Sequence, residues 1–444
     1  MTQTTSAPPP PATWSPPAPQ AAPPGRQAPA SRTAPKLGPI AAWFDGTPGR
    51  MRALLIALAV VAVLFGAAAA QGFRSSDGAL QRAEDNTAQL VRIQSIHTNL
   101  VSANADATNS FLVGGLEPPA QRQHFVDSMT TAARLVSEAA TAQPADQKAL
   151  GELNSTLLTY QGLIEQARAN NRQGLPIGSQ YLKDANATLQ ADSLPLLDAL
   201  VKANENRINT EFNGVGRGNA WLLLGGAVTL VVLVLGLIWL ARRTHRYVNV
   251  PIAAAAVLVL LTVVIGGASL SSAANAAKDT QDQAYANTLA LSRARIAAYD
   301  AKSNESLTLI ARGSGTAFQD AWVKSAKDVD DQLAIGGTTN RTLQDTWSAY
   351  KAVHVQIRED DDKGRWDDAV TKAIGSGKAT SNATFTTFDK ASNEQLDELS
   401  ETTQSELSDA RDGLPPIGWL GLPIGILAAL LIAWGVSQRL EEYR

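Results

Sequence analysis

Cysteine is absent from all 444 residues, which excludes disulfides as staples for any part of the fold. Histidine is nearly absent. The four present, His97, His124, His245 and His354, form no HExxH pair and have no carboxylate at metal-ligand spacing, so each reads as a solvated or interfacial side chain. No Walker-type loop, nucleophile elbow or kinase signature occurs, and Gly214-Val215-Gly216 has no strand pattern before it. These absences argue against an enzyme, and no metal or cofactor is expected. The acidic run Glu359-Asp360-Asp361-Asp362-Lys363-Gly364 looks like an ion loop, but for an EF-hand its glycine falls one place early and no glutamate closes it. It reads as an acidic helix end, or as an exposed contact surface for a partner or a cationic ligand.

Ionisable residues are also missing from four runs, 53–70, 221–240, 251–270 and 416–436. Each is about 20 residues, which at 1.5 Å per residue matches roughly 30 Å of bilayer hydrocarbon. Spans are therefore expected at residues 51–70, 220–241, 250–270 and 414–436, with Trp221, Trp239, Trp419 and Trp434 near their ends. About fifty residues precede the first run, so it reads as a retained span and not as a cleavable signal peptide. The two middle runs make a hairpin whose turn, 242–249, carries Arg242, Arg243 and Arg246. Short basic loops stay inside, so both chain ends are expected in the cytoplasm and the loops 71–219 and 271–413 outside. Net charge agrees, at about +7 for the inner segments and about −10 for the outer ones. A net-acidic outer surface disfavours nucleic acid. The spans hold only small hydroxyls such as Thr229, Thr262 and Ser269, which disfavours a pore or carrier, and Pro423 sits near a helix start.

Residues 1–50 form a proline-rich tail expected to stay disordered, ending in Trp43-Phe44 and Arg50-Met51-Arg52 at headgroup level. Both long loops read as helices divided by breakers. In the first, Gly114-Gly115 with Pro118-Pro119, then Gln143-Pro144, then Gly174 to Gly178, separate four helices whose buried stripe includes Ile93, Ile96, Leu100, Ala103, Ala107 and Phe111. Alternating in direction, they advance about 43 residues, return 23, advance 29 and return 41, which closes an antiparallel four-helix bundle. The second loop breaks at Gly313-Ser314-Gly315, Gly336-Gly337 and Gly364 and returns through Phe385, Phe388 and Leu396. Asp106, Phe125, Tyr160, Gly174 and Asn186 recur as Asp300, Phe318, Tyr350, Gly364 and Asn382 in the same order, so the plan is an internal repeat with a small insertion near 375–377. The expected fold is all-α: four transmembrane helices with two tandem extracytoplasmic antiparallel four-helix bundles continuous with the spans. One chain then imitates a homodimer, as a pseudo-dimeric monomer or part of a higher assembly.

Paired outer bundles joined directly to spans resemble the sensor domains of bacterial chemoreceptors and sensor kinases, but no HAMP segment, methylation coiled coil or kinase follows the spans. The full layout is similar to the actinobacterial GlnX-type membrane proteins. The resemblance rests on the proline-rich tail, Thr47-Pro48-Gly49-Arg50-Met51-Arg52, the tandem bundles, the arginine-rich turn and the ending Arg439-Leu440-Glu441-Glu442-Tyr443-Arg444. It implies a plasma-membrane relay. Glutamate- or aspartate-type availability would pass from an extracytoplasmic amino-acid-binding lipoprotein, GlnH-like, to a cytoplasmic Ser/Thr kinase, PknG-like.

Residues for outside docking are expected at the distal turns: Glu117, Arg122 and Arg172 in one copy, and Asp360, Asp361, Asp362 and Arg365 in the other. Inside docking falls to Arg242, Arg243, Arg246, Arg439, Glu441, Glu442, Tyr443 and Arg444, whose basic members serve equally as orientation signals and lipid anchors. Two alternatives are direct small-molecule sensing in a groove between helices and an envelope scaffold that passes no signal.

Overall fold

A computed structural model describes residues 46–113, 116–244, 249–375 and 377–441. Helix takes up 93 % of the structure and no strand occurs among the described residues, so the fold is all-α. Contacts divide the chain into residues 1–53, whose described part is the opening of the first helix, and a second unit of residues 54–444. The proline-rich tail, Gly114-Gly115, His245 and the last three residues lie outside the described residues.

The first half contains α1 (Gly46–Val113), α2 (Pro119–Ala142), α3 (Gln147–Arg172), α4 (Ile177–Thr188), α5 (Leu194–Val215) and α6 (Arg217–Thr244). The second contains α7 (Val250–Thr280), α8 (Ala286–Ile310), α9 (Thr316–Ile335), α10 (Arg341–Asp362), α11 (Trp366–Ile374), α12 (Ser381–Asp412) and α13 (Ile417–Glu441). No proline interrupts residues 49–117, so α1 runs unbroken for 68 residues, about 100 Å. A five-residue π turn, Leu189–Ser193, joins α4 to α5 just before Pro195, which has no N–H to give to the helical ladder. A second π turn, Gln281–Tyr285, joins α7 to α8.

Breakers end these helices in matching ways. After α3, Gly174 takes a φ of 69° while Leu175 N–H bonds Asn170 O at 3.0 Å; after α10, Gly364 takes 74° while Arg365 N–H bonds Asp360 O at 2.8 Å. Both are left-handed helix stops that only glycine adopts without strain. Short 3-10 turns, Pro144–Asp146 between α2 and α3 and Gly337–Asn340 between α9 and α10, each end on a buried polar residue. Asp146 accepts from Gln89, Asn204 and Arg207, and Asn340 accepts from Gln395. The halves differ where α11 and the break at 375–380 come before the last long helix; the first half turns directly into α4.

The predicted stripe on α1 is buried at Ile93, Ile96, Leu100, Ala103 and Ala107. It enters a single hydrophobic core that also takes Phe125 and Tyr160 from the first half and Leu291, Trp347, Tyr350 and Phe388 from the second. The halves thus share one core.

Four helical stretches, Gly49–Val113, Ile177–Arg243, Val250–Ile310 and Ser381–Gln438, contain segments long and apolar enough to cross a membrane. In those segments glycine lets backbones touch. A Cβ on Gly66 would stand 2.5 Å from Gly421 O and 2.8 Å from Gly425 Cα, and one on Gly72 would stand 2.7 Å from Gly218 O. Small-residue contacts of this kind associate helices in lipid, where burial of apolar surface supplies no drive between them. Asn249 caps α7 and donates Nδ2–H to Gly435 O at 2.7 Å, which ties α7 to α13.

Candidate functional site

The seam between the halves is polar although the core around it is apolar. Asn104 on α1 donates to Ser303 on α8 at 2.9 Å, Asn109 donates to Asn382 on α12 at 3.0 Å, and Arg293 pairs with Glu205. Asn104 also donates to Asn186 at 2.9 Å, so Asn186 and Asn382 both bond α1. Amide and hydroxyl bonds fix register while leaving little apolar surface to be exposed if the halves shift.

Two grooves flank this seam, one with Asp106 and the other with Asp300. In the first, Asp106 Oδ2 lies 2.5 Å from His124 Nδ1, among Asn109, Tyr299, Asn382 and Phe385. Burial raises the Asp106 carboxyl and the imidazole opposes it; the same bond raises His124. The second groove encloses about 660 Å³ and contains Asp300, which accepts one hydrogen bond, from Gln190 Nε2 at 3.2 Å. Burial pushes its carboxyl up to about 7.

A third polar cluster lies wholly inside the second half. Glu305, 1 % exposed, bonds Lys302 Nζ at 2.8 Å, Ser381 Oγ and His354 Nδ1 at 2.9 Å, while His354 stacks on Trp322 at 3.6 Å. Burial would raise Glu305; Lys302 and His354 outweigh it and bring the carboxyl down to about 2. His354 is therefore a core residue, and so is His97, 6 % exposed, which burial lowers to about 4. Among the described histidines the solvated reading fits only His124, whose side chain is 57 % exposed.

The residues expected to dock a partner at the distal turns are mostly engaged within the chain. Glu117 pairs with Arg168 at 3.1 Å, which lies over the Phe125 ring, and Arg122 pairs with Glu165 at 2.9 Å. Arg172 is exposed in the last turn of α3. Asp361 and Asp362 both hold Arg358, at 2.6 and 2.5 Å. Asp360 is not the exposed acid its sequence suggests. It is 4 % exposed and accepts from Arg365 Nε at 3.1 Å and from Lys372, because the chain folds back through α11 and brings Lys372 over it. Its own cations thus take the place an external one would occupy. At the other end, Arg242 and Arg243 are exposed in the last turn of α6, and Glu441 is exposed at the end of α13. Arg246, Glu442, Tyr443, Arg444 and the side chain of Arg439 lie outside the described residues.

Residues 79–213 match the family model described as an actinobacterial sensor domain. That stretch starts beyond the first apolar segment and stops before the second, so it comprises the polar helices of the first half. No curated protein and no solved structure matches the chain. Four apolar helices with a sensor-domain match define a membrane-associated, helical sensor protein with a sensing or signalling role.

Proposed function

We propose that the chain is a non-enzymatic signalling subunit of the GlnX type, with two tandem four-helix bundles outside the plasma membrane and both ends in the cytoplasm. It relays the state of an amino-acid-loaded lipoprotein, GlnH-like, to a soluble Ser/Thr kinase, PknG-like. The observation that supports this most is the continuity of α1, a single helix from the apolar segment to the distal turn at Val113. Small shifts or rotations at one end of such a helix reach the other without a hinge to absorb them. A shift counts only where the inside partner binds the two arrangements unequally.

Crosslinking in membranes with a photoreactive group at Arg242 or Glu441 tests the inner half of the relay. Capture of the kinase, together with loss of amino-acid-dependent phosphorylation of its substrates on deletion of the chain, is the expected result. Unchanged phosphorylation after deletion sinks the relay and leaves the scaffold. A second reading, direct binding of a small molecule by the helices, is favoured by the cavity at Asp300.

A further inference from the structure

The two grooves contain the aspartates that the sequence pattern pairs as a repeat, yet only at Asp106 does an imidazole of the chain sit against the carboxylate. His124 stands directly before Phe125; at the matching place before Phe318 the second half has Ala317. His124 lies against Asp106, whereas Ala317 lines the open cavity that contains Asp300. Replacing an imidazole by a methyl group leaves the space and a carboxylate with no cation bonded to it, favoured only by the Gln190 hydrogen bond and by the charge of Lys324 across the cavity. Among the described residues no cation contacts Asp300.

The walls point the same way. Gln94 is 3 % exposed with both amide atoms unbonded, and the Nε2 of His97 is likewise without a partner. Both side chains line the cavity, and Gln94 also borders the groove on the His124 side. Buried polar atoms left unbonded cost about 1–3 kcal/mol each unless something fills the site. We propose that this cavity binds a small organic ammonium compound, an amine or an amino acid, whose cationic nitrogen occupies at Asp300 the place that the His124 imidazole holds at Asp106. Asp198 on α5 and Asp328 on α9 add negative charge, and Lys324 on α9, which acts on Asp300 across the cavity, would turn to the carboxylate of a bound amino acid. Arg293 on the same wall is already paired with Glu205. A volume of about 660 Å³ takes such a ligand together with water.

Proton linkage adds a signature. The titratable and charged groups facing Asp300 are His97, Asp198, Arg293, Lys324 and Asp328. With its carboxyl pushed up to about 7, Asp300 holds a proton in part of the population at neutral pH, and an arriving cation expels it.

The test is calorimetry on the full chain in nanodiscs with putrescine, L-lysine and L-glutamate, in buffers of different ionisation enthalpy. Binding of at least one of them, with heat that depends on the buffer, is expected. Asp300→Asn weakens it about tenfold or more and removes the buffer dependence, and Ala317→His, which rebuilds the first half's pair, abolishes it. Asp106→Asn, in the other groove, leaves it unchanged. Putrescine binding without lysine or glutamate assigns the site to amines, and glutamate binding assigns it to amino acids. Absence of binding by all three at millimolar concentration, or affinity that survives both Asp300→Asn and Ala317→His in variants that melt as the parent does, overturns the site. The relay is judged separately by kinase-substrate phosphorylation, so either can fail alone.

Discussion

Asp300 and Glu305 stand on one helix and titrate in opposite directions, because desolvation dominates at Asp300, where the Gln190 hydrogen bond and the charge of Lys324 oppose it only in part, whereas Lys302 and His354 outweigh it at Glu305. The sign of each effect on stability follows. Asp300 has a folded value of about 7 against 3.8 for the free group, so burying it costs nothing below 3.8, and the cost grows as pH rises and is complete above about 7. Asp300→Asn therefore raises the melting temperature of the ligand-free chain at about pH 8 and has little effect near pH 4, as differential scanning fluorimetry across pH will show. Glu305 behaves in reverse: its folded value of about 2 lies below 4.5, so its stabilisation is present above 4.5 and is lost as pH falls toward 2. Glu305→Gln leaves Lys302 buried without its carboxylate, and chemical denaturation at neutral pH is expected to register a loss of about 3–5 kcal/mol. A variant as stable as the parent would mean that the cluster has reorganised or admitted water. The stabilising and destabilising substitutions five residues apart on α8 form a matched pair of opposite sign.

Helices pack in this chain by two different means, and glycine distinguishes them. Gly151 faces open space on α3, so Gly151→Ala meets nothing and is expected to add about 0.5–1 kcal/mol by removing backbone freedom from the unfolded chain. Gly425 on α13 is the opposite case. A Cβ there stands 2.7 Å from Ala62 O and 2.9 Å from Gly66 Cα, so Gly425→Leu must push α13 off α1. A lower melting temperature in detergent for Gly425→Leu, beside an unchanged or higher one for Gly151→Ala, is the expected contrast, and equal effects would contradict this packing. Elements were legible in the sequence to the extent that their causes are local. Gly174, Gly364 and Pro144 stop helices wherever they stand, and the stripe from Ile93 to Ala107 shows its face by spacing alone. The helix α11 was not legible, since its pattern merges with that of the helix after it; with it went the burial of Asp360 under Lys372. Nor was the Asp300 groove, which brings Gln94, Asp300 and Ala317 together from three helices. Only the change from His124 to Ala317 before the repeated phenylalanines hinted at it.

Absence of cysteine makes the whole molecule open to site-specific chemistry, because any thiol introduced is the only one. Orientation comes first: Arg242→Cys, in the exposed last turn of α6, is expected to resist a membrane-impermeant maleimide in intact cells and to react once they are opened. Labelling of intact cells would reverse the topology and with it the relay. Movement between the halves is the harder matter. The shared core resists their separation, but the seam is held by the Arg293–Glu205 ion pair and by amide and hydroxyl bonds such as Asn109 to Asn382 at 3.0 Å, and the latter can exchange partners with little change in buried area. If signalling is a shift of one half along the other, a covalent bridge at that contact must fix the population in one arrangement. The double variant Asn109→Cys, Asn382→Cys, bridged by a short bis-maleimide, should then hold kinase-substrate phosphorylation at a constant level whatever amino acid is supplied. The unbridged double variant should still respond. Complete bridging with a normal response would show that the halves move as one body, and the signal would then have to travel within a single half, through α1 and α6.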